Sequence, residues 1–247
     1  MKNSFFGYNS EVKMIVIYNP ELSPQMEQNL KQLGYHCIPS IPIPSLPNGI
    51  ALHPDMQVCP IDEKTILTAP EVFNYYRKVL PDSIQVIPGE TPLDGTYPKD
   101  SAYNAAEVGE YFFCNTTCID KKLLHIKKES GKKIIHINQG YAKCNILPFS
   151  GKGLFTEDIG IHNTITVNNL PIKSVLLPSG EIFLKNYSYG FIGGSCGKAE
   201  KTVIWYGNPD RCSYADLLHQ FLKKEDIGEI SLSSDKLEDL GGIICLP

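Results

Sequence analysis

The sequence predicts an α/β fold, built as a pseudo-symmetric ring of five ββαβ blades, and three observations predict it. A strand–helix–strand unit recurs five times along the 247 residues. A short segment of similar character precedes four of these units. One further such segment, residues 240–247, has no unit after it, and the unit beginning at Lys13 has no segment before it.

The first unit runs from an apolar strand at 13–18 through Asn19-Pro20-Glu21 into an amphipathic run at 26–33, closed by Gly34, and on to a strand at 35–38. Pro in a first helical turn costs no hydrogen bond, and an adjacent Glu suits the positive end of the helix dipole. The second unit repeats this, with a strand at 63–68, Pro70-Glu71, a helix at 72–80 closed by Pro81, and a strand at 84–87. The third has a strand at 110–114, a helix at 120–129 and a strand at 133–137. The fourth has strands at 153–157 and 175–177, and the fifth a strand at 201–206, a helix at 214–224 and a strand at 229–232. Short apolar runs bounded by turn residues are the mark of such strands. The leading segments are 52–60, 97–104, 140–148 and 190–197; superposing Pro60 on Pro148 also superposes Lys64 on Lys152 and Thr68 on Thr156. Residues 243–246 are therefore expected to pair with 13–18 and close the ring, which removes open sheet edges.

Composition limits the function. A chain of this length is expected to form a single domain, 1–247, burying roughly 70–75% of its unfolded surface. With 23 basic and 27 acidic residues the net charge is −4, which gives no footprint for nucleic acid. No apolar run approaches a membrane span. The first 18 residues lack the basic start and cleavage site of a signal peptide, so a cytoplasmic location and eight free thiols are expected. Cys114 and Cys118 lack a partner pair at metal-ligand spacing, so no metal and no cofactor are expected. Cys37, Cys59, Cys144 and Cys196 read as packing groups or, for the last three, as support for a site. Gly151-Lys152-Gly153 reads as a hairpin turn. Lys121, Lys122, Lys127, Lys128, Lys132 and Lys133 read as one solvated basic helix face.

The blade pattern, with Gly241-Gly242-Ile243-Ile244-Cys245 on the last strand and His53-Pro54-Asp55 in the first leading segment, resembles the pentein fold of guanidine-modifying enzymes. That group includes arginine deiminase, agmatine deiminase, dimethylarginine dimethylaminohydrolase and glycine amidinotransferase. The segments 139–144 and 189–194 resemble an uncharacterised family of the same fold. The resemblance implies leading strands around a central cavity, with Cys245 as a thiolate nucleophile attacking a guanidinium carbon. It implies acid–base help from a His and carboxylates that hold the guanidinium, a pairing that suits a planar five-donor cation.

The carry-over is partial. Tyr141 of Tyr141-Ala142-Lys143 stands where dimethylarginine dimethylaminohydrolase carries His in a His-x-Lys. His53 is the only histidine in a leading segment, and an alternating strand would put it on one face with Asp55. His53-x-Asp55 is also similar to the His-x-Asp of arginine deiminase, which lies in a later blade there. The blade register adds Asp100, Asn104, Tyr141 and Lys143 as ligand-binding candidates, and Gly193, Gly194 and Ser195, whose backbone N–H groups would approach a ligand. All of these would face one central pocket holding a small molecule. Two functions remain open: a Cys-dependent hydrolase or amidinotransferase-like enzyme on a guanidino or amidino compound, and a non-catalytic ring that binds a small ligand or a partner protein, as the ribosome anti-association factor of similar ring shape does.

Overall fold

Five three-stranded sheets make up the strand content of the computed structural model, which describes residues 14–246. In chain order the elements are β1 (Ile15–Tyr18), α1 (Pro24–Gln32), β2 (His36–Pro39), α2 (Pro54–Gln57), β3 (Val58–Asp62), β4 (Thr65–Thr68), α3 (Phe73–Val79) and β5 (Gln85–Pro88). They continue with β6 (Ala106–Val108), β7 (Tyr111–Cys114), α4 (Lys121–Glu129), β8 (Lys133–His136), α5 (Ala142–Asn145), β9 (Ile146–Ser150), β10 (Gly153–Thr156), α6 (Ile159–Val167) and β11 (Lys173–Leu176). The last are β12 (Cys196–Ala199), β13 (Thr202–Trp205), α7 (Ala215–Lys224), β14 (Gly228–Ser231) and β15 (Ile244–Leu246).

Every sheet has the same plan. A first strand runs antiparallel to the second, and the third returns through a helix to lie parallel to the second, as in β3-β4-β5. In the remaining sheet the first strand is β15, with Val16 opposite Cys245 and Ile17 opposite Ile244. β15 lies between β12 and β3 around the axis, so the expected closure of the ring by the two ends of the chain is observed.

Burial follows from this plan. The second strands β1, β4, β7 and β10 are buried at every residue, which is why they read as unbroken apolar runs. The third strands form the outer rim and are partly exposed. The first strands face the axis, and the helices cover the sheets.

Three local expectations are corrected. Pro20-Glu21 does not open α1: the Asn19 side chain accepts from Glu21 N at 2.9 Å in a turn, and Ser23 caps the helix instead. The leading segments are not strands through their first half. Pro54 at the first helical position turns 54–57 into one turn of helix before β3, and α5 does the same before β9. A 3₁₀ turn at Ile192–Ser195 does so before β12. The basic helix face is not uniformly solvated. Lys127 is fully buried and ties α4 to the neighbouring blade, donating to Pro60 O at 2.7 Å and Ile61 O at 2.8 Å and pairing with Glu107.

All eight cysteines carry free thiols, and Cys114 and Cys118 are not joined. Maleimide labelling of unfolded, unreduced protein should therefore add eight adducts by intact mass. Six adducts would mean a disulfide.

Candidate active site

The helical turns of the leading segments place the chemistry. Of the residues expected in one central pocket, four line two separate cavities, and Asp55, Asp100, Asn104, Gly193, Gly194 and Ser195 line neither. Cys245 and Lys143 line a cavity of about 430 Å³ together with Pro60, Glu107, Pro148 and Lys198. His53, Tyr141, Cys144 and Asp239 line a second cavity of about 230 Å³, walled by Tyr187, Tyr189 and Phe191. Tyr187 and Tyr189 are each more than 40% exposed, so this second cavity opens outward between rings. Lys143 faces the first cavity and its neighbour Cys144 the second, so the α5 turn lies between them.

His53 caps α2 and does not share a strand face with Asp55. Its Nδ1 lies 3.9 Å from Asp239 Oδ1, and both side chains are buried. Burial pushes the His53 pKa below its ordinary value, while Asp239 pulls the other way. Asp239 comes from the loop after β14. It accepts from Phe191 N at 2.9 Å and Gly241 N at 3.0 Å, which fixes the carboxylate at the cavity floor.

Two glycines make room for this arrangement. A Cβ on Gly194 would meet Asp239 Oδ1 at 2.0 Å, and one on Gly241, at φ +78°, would meet His53 Cβ at 2.3 Å. Gly194 thus admits one of the protein's own carboxylates, and Gly193 and Ser195 are tied into the same floor. Gly193 O accepts from Lys143 Nζ at 2.8 Å, and Ser195 Oγ donates to Ile192 O at 2.9 Å.

Asp55 is fully buried behind Cys144. Its Oδ2 accepts from Cys144 Sγ at 3.0 Å, and its Oδ1 has no partner. Burial pushes the carboxyl up to about 7, with Lys143 opposing. Asn104 joins three elements: its Nδ2 donates to Cys144 Sγ at 3.1 Å and Asp55 O at 3.3 Å, and its Oδ1 accepts from Lys143 N at 2.7 Å. Asp100 holds a cavity wall, since its Oδ2 accepts from Tyr141 OH at 2.5 Å while its Oδ1 is unpartnered. The Tyr141 ring lies 5.2 Å from Tyr97 and 6.5 Å from Phe191, centre to centre.

Cys245 is set apart. Its sulfur's one hydrogen-bond contact is a long one, to Ile243 O just before β15, at 4.0 Å. Burial pushes its thiol up to about 12, with Lys143 as the opposing charge. No histidine lines its cavity. Among the described residues no cluster of three or more His, Cys, Asp or Glu side chains has metal-binding geometry. No helix among them is long and apolar enough to cross a membrane.

The sequence reading missed Asp239, which no blade register points to, and passed over Cys144 as a supporting group. A signal for Asp239 was present in Gly194, whose missing side chain is the space the carboxylate fills.

Repeating blades, closure through β15 and buried polar groups around the axis can be set beside known proteins. The chain belongs to a family of unknown function (DUF6873), whose model matches residues 17–244. A search of curated proteins returns no match. Among solved structures, an amidinotransferase of saxitoxin biosynthesis from Microseira wollei is similar at TM-score 0.55 and 11% identity, over 96% of this chain and 94% of the other. The N-terminal domain of a cyanobacterial arginine dihydrolase, bound to product, is similar at 0.54 and 11%, over 95% and 98%. A mutant dimethylarginine dimethylaminohydrolase from Pseudomonas aeruginosa, complexed with citrulline, is similar at 0.53 and 10%, over 90% and 91%. The DUF6873 chain thus has the pentein fold of the guanidine-modifying enzymes.

Proposed function

We propose that this DUF6873 protein takes a planar, cationic amidino or guanidino compound into the smaller cavity and acts on it through a cysteine thiol, as a hydrolase or amidinotransferase. One observation carries the reading: a buried carboxylate, an imidazole and a thiol, Asp239, His53 and Cys144, meet at the floor of a cavity walled by aromatic rings. Aromatic faces and a desolvated carboxylate favour a flat cation over a neutral molecule of the same shape. The fold is also the one used by an amidinotransferase, an arginine dihydrolase and dimethylarginine dimethylaminohydrolase.

The site is assembled from His53 and Asp239 at the floor and Tyr141 on the wall. Asp100 orients Tyr141, while Asp55, Asn104 and Lys143 lie behind. The resemblance gives the nucleophile's role to Cys245, which lines the larger cavity with Lys143 and does not meet a compound held in the smaller one. A second reading, a ring that binds its ligand without turnover, is favoured by the burial that pushes both Cys144 and Cys245 away from the thiolate.

Ligand-observed NMR with benzamidine tests the binding, with neutral benzamide as control. Benzamidine should bind at least tenfold more tightly. Tyr189→Ala, at a half-exposed wall, should weaken it about fivefold, as expected for a lost cation–aromatic contact of roughly 1 kcal/mol. Equal binding of the two compounds, or no effect of Tyr189→Ala, would overturn the reading. Ammonia or amine release from simple guanidines then separates turnover from binding alone.

A further inference from the structure

We infer that Cys144 is the reactive thiol of the smaller cavity and that Asp55 is its proton acceptor. The inference rests on the amidine-binding reading above and extends it to a residue pair that the resemblance does not supply. Three geometric facts carry it. Cys144 lines the cavity, whereas Cys245 does not. Its Sγ donates to Asp55 Oδ2 at 3.0 Å and accepts from Asn104 Nδ2 at 3.1 Å, so one neighbour takes the proton and the other stabilises the anion left behind. Asp55 Oδ1 is buried without a partner, leaving the carboxylate an unfilled acceptor beside the thiol.

The backbone holds this pair in register. Asp55 N donates to Gly241 O at 3.1 Å, and Cys144 N and Lys143 N both donate to Asn104 Oδ1. Cys245 Sγ makes no side-chain hydrogen bond of this kind; its one contact is Ile243 O at 4.0 Å.

The surroundings also explain how such a buried thiol is kept quiet. Burial and the adjacent Asp55 raise the Cys144 pKa well above the ordinary thiol value. The resting thiol is therefore neutral. An amidinium or guanidinium entering the cavity adds a positive charge beside the sulfur and favours transfer of its proton to Asp55. A carboxyl titrating near neutral pH is well matched to accept it.

On a guanidinium the sulfur attacks the central carbon, forming a C–S bond. One C–N bond then breaks, and its nitrogen departs as ammonia or an amine, carrying the proton first passed to Asp55. Water hydrolyses the resulting thiouronium, giving a urea and returning the thiol, with one proton released. Two electrons move with each bond, and no oxidant or reductant is required.

The test is alkylation by 2-chloroacetamidine, with neutral 2-chloroacetamide as reference and peptide mass mapping of all eight cysteines. Here sulfur displaces chloride, and the thiol proton passes through Asp55 to solvent. After correction by the rates of free cysteine, Cys144 should prefer the cationic reagent by at least tenfold and react before the other thiols. Asp55→Asn should slow labelling at pH 7 by tenfold or more and shift its pH dependence to the alkaline side, and Asp55→Glu should restore part of the rate. Labelling first at Cys245, with benzamidine binding intact, would overturn the assignment of Cys144 and leave the cavity reading standing. Uniform labelling together with no benzamidine binding would overturn both. An Asp55→Asn protein, folded by its circular dichroism, that labels Cys144 at the wild-type rate would overturn the role of Asp55.

Discussion

Replacing Lys127 by Met is expected to destabilise the protein by about 3–5 kcal/mol, the usual cost of removing one partner of a buried ionic cluster. The side chain is fully buried, and its ammonium is the donor for Pro60 O and Ile61 O and the partner of Glu107. It also lies 5.6 Å from the centre of the Phe112 ring. Met fills a similar volume but donates nothing, so the two carbonyls at the end of β3 lose this donor in a dry place. Glu107 keeps Lys132 at 2.7 Å, so the loss falls mainly on the link between blades. Thermal unfolding should shift down by roughly 6–20 °C for a chain of this size. Lys128→Met, one residue on and exposed, should change little. A Lys127→Met protein that melts with wild type would show that the clamp adds nothing to stability.

Asp55→Asn is expected to stabilise the fold by an amount that grows as pH rises above 3.8 and levels off above about 7. Burial raises this carboxyl from 3.8 to about 7. A raised carboxyl pKa means the folded state holds its proton more tightly than the unfolded state. Stability is then greatest below the unfolded value and falls as pH rises through the interval up to about 7. A separation of about three units corresponds to about 4 kcal/mol, fully expressed above pH 7. Asn keeps the shape and cannot ionise. Urea titrations should show the variant gaining a few kcal/mol at pH 8 and little at pH 4. Glu157, pushed up to about 8 by burial, gives the wild type a slope of the same sign, so the difference between the two proteins is the quantity to measure. A difference that does not change with pH would mean that Asp55 is not held as a strained carboxylate.

Much of the architecture could be read from the chain. The buried second strands announce themselves as apolar runs, and the unit without a leading segment and the segment without a unit forced the pairing of β1 with β15. The site was harder to read, for physical reasons. Pro54 suits both a strand end and a first helical turn, so His53 and Asp55 were assigned to one face when they lie on different sides of a turn. Lys127 and Lys128 look alike in sequence, and only the packing of α4 against β3 distinguishes a buried clamp from a solvated charge. Cys245 was singled out by its motif, but direction within a strand decides which cavity a thiol meets. Asp239 lies in a loop, and its neighbours Gly194, Phe191 and Gly241 meet it only after folding.

The pairing of β1 with β15 also sets the timetable of folding. It joins Ile15 to Leu246, nearly the two extremes of the described chain, so the seam closes the longest loop of any sheet pairing. Contacts of such long sequence separation slow folding, because the loop entropy is lost before the contact rewards it. During synthesis, β1 must wait for almost the whole chain with one hydrogen-bonding edge unpaired and four buried-type residues exposed. Such a species is prone to associate with its own kind. Once the seam forms, no blade is terminal, and the ring is expected to open in a single cooperative event, with amide exchange in β1 and β15 as slow as in the other blades.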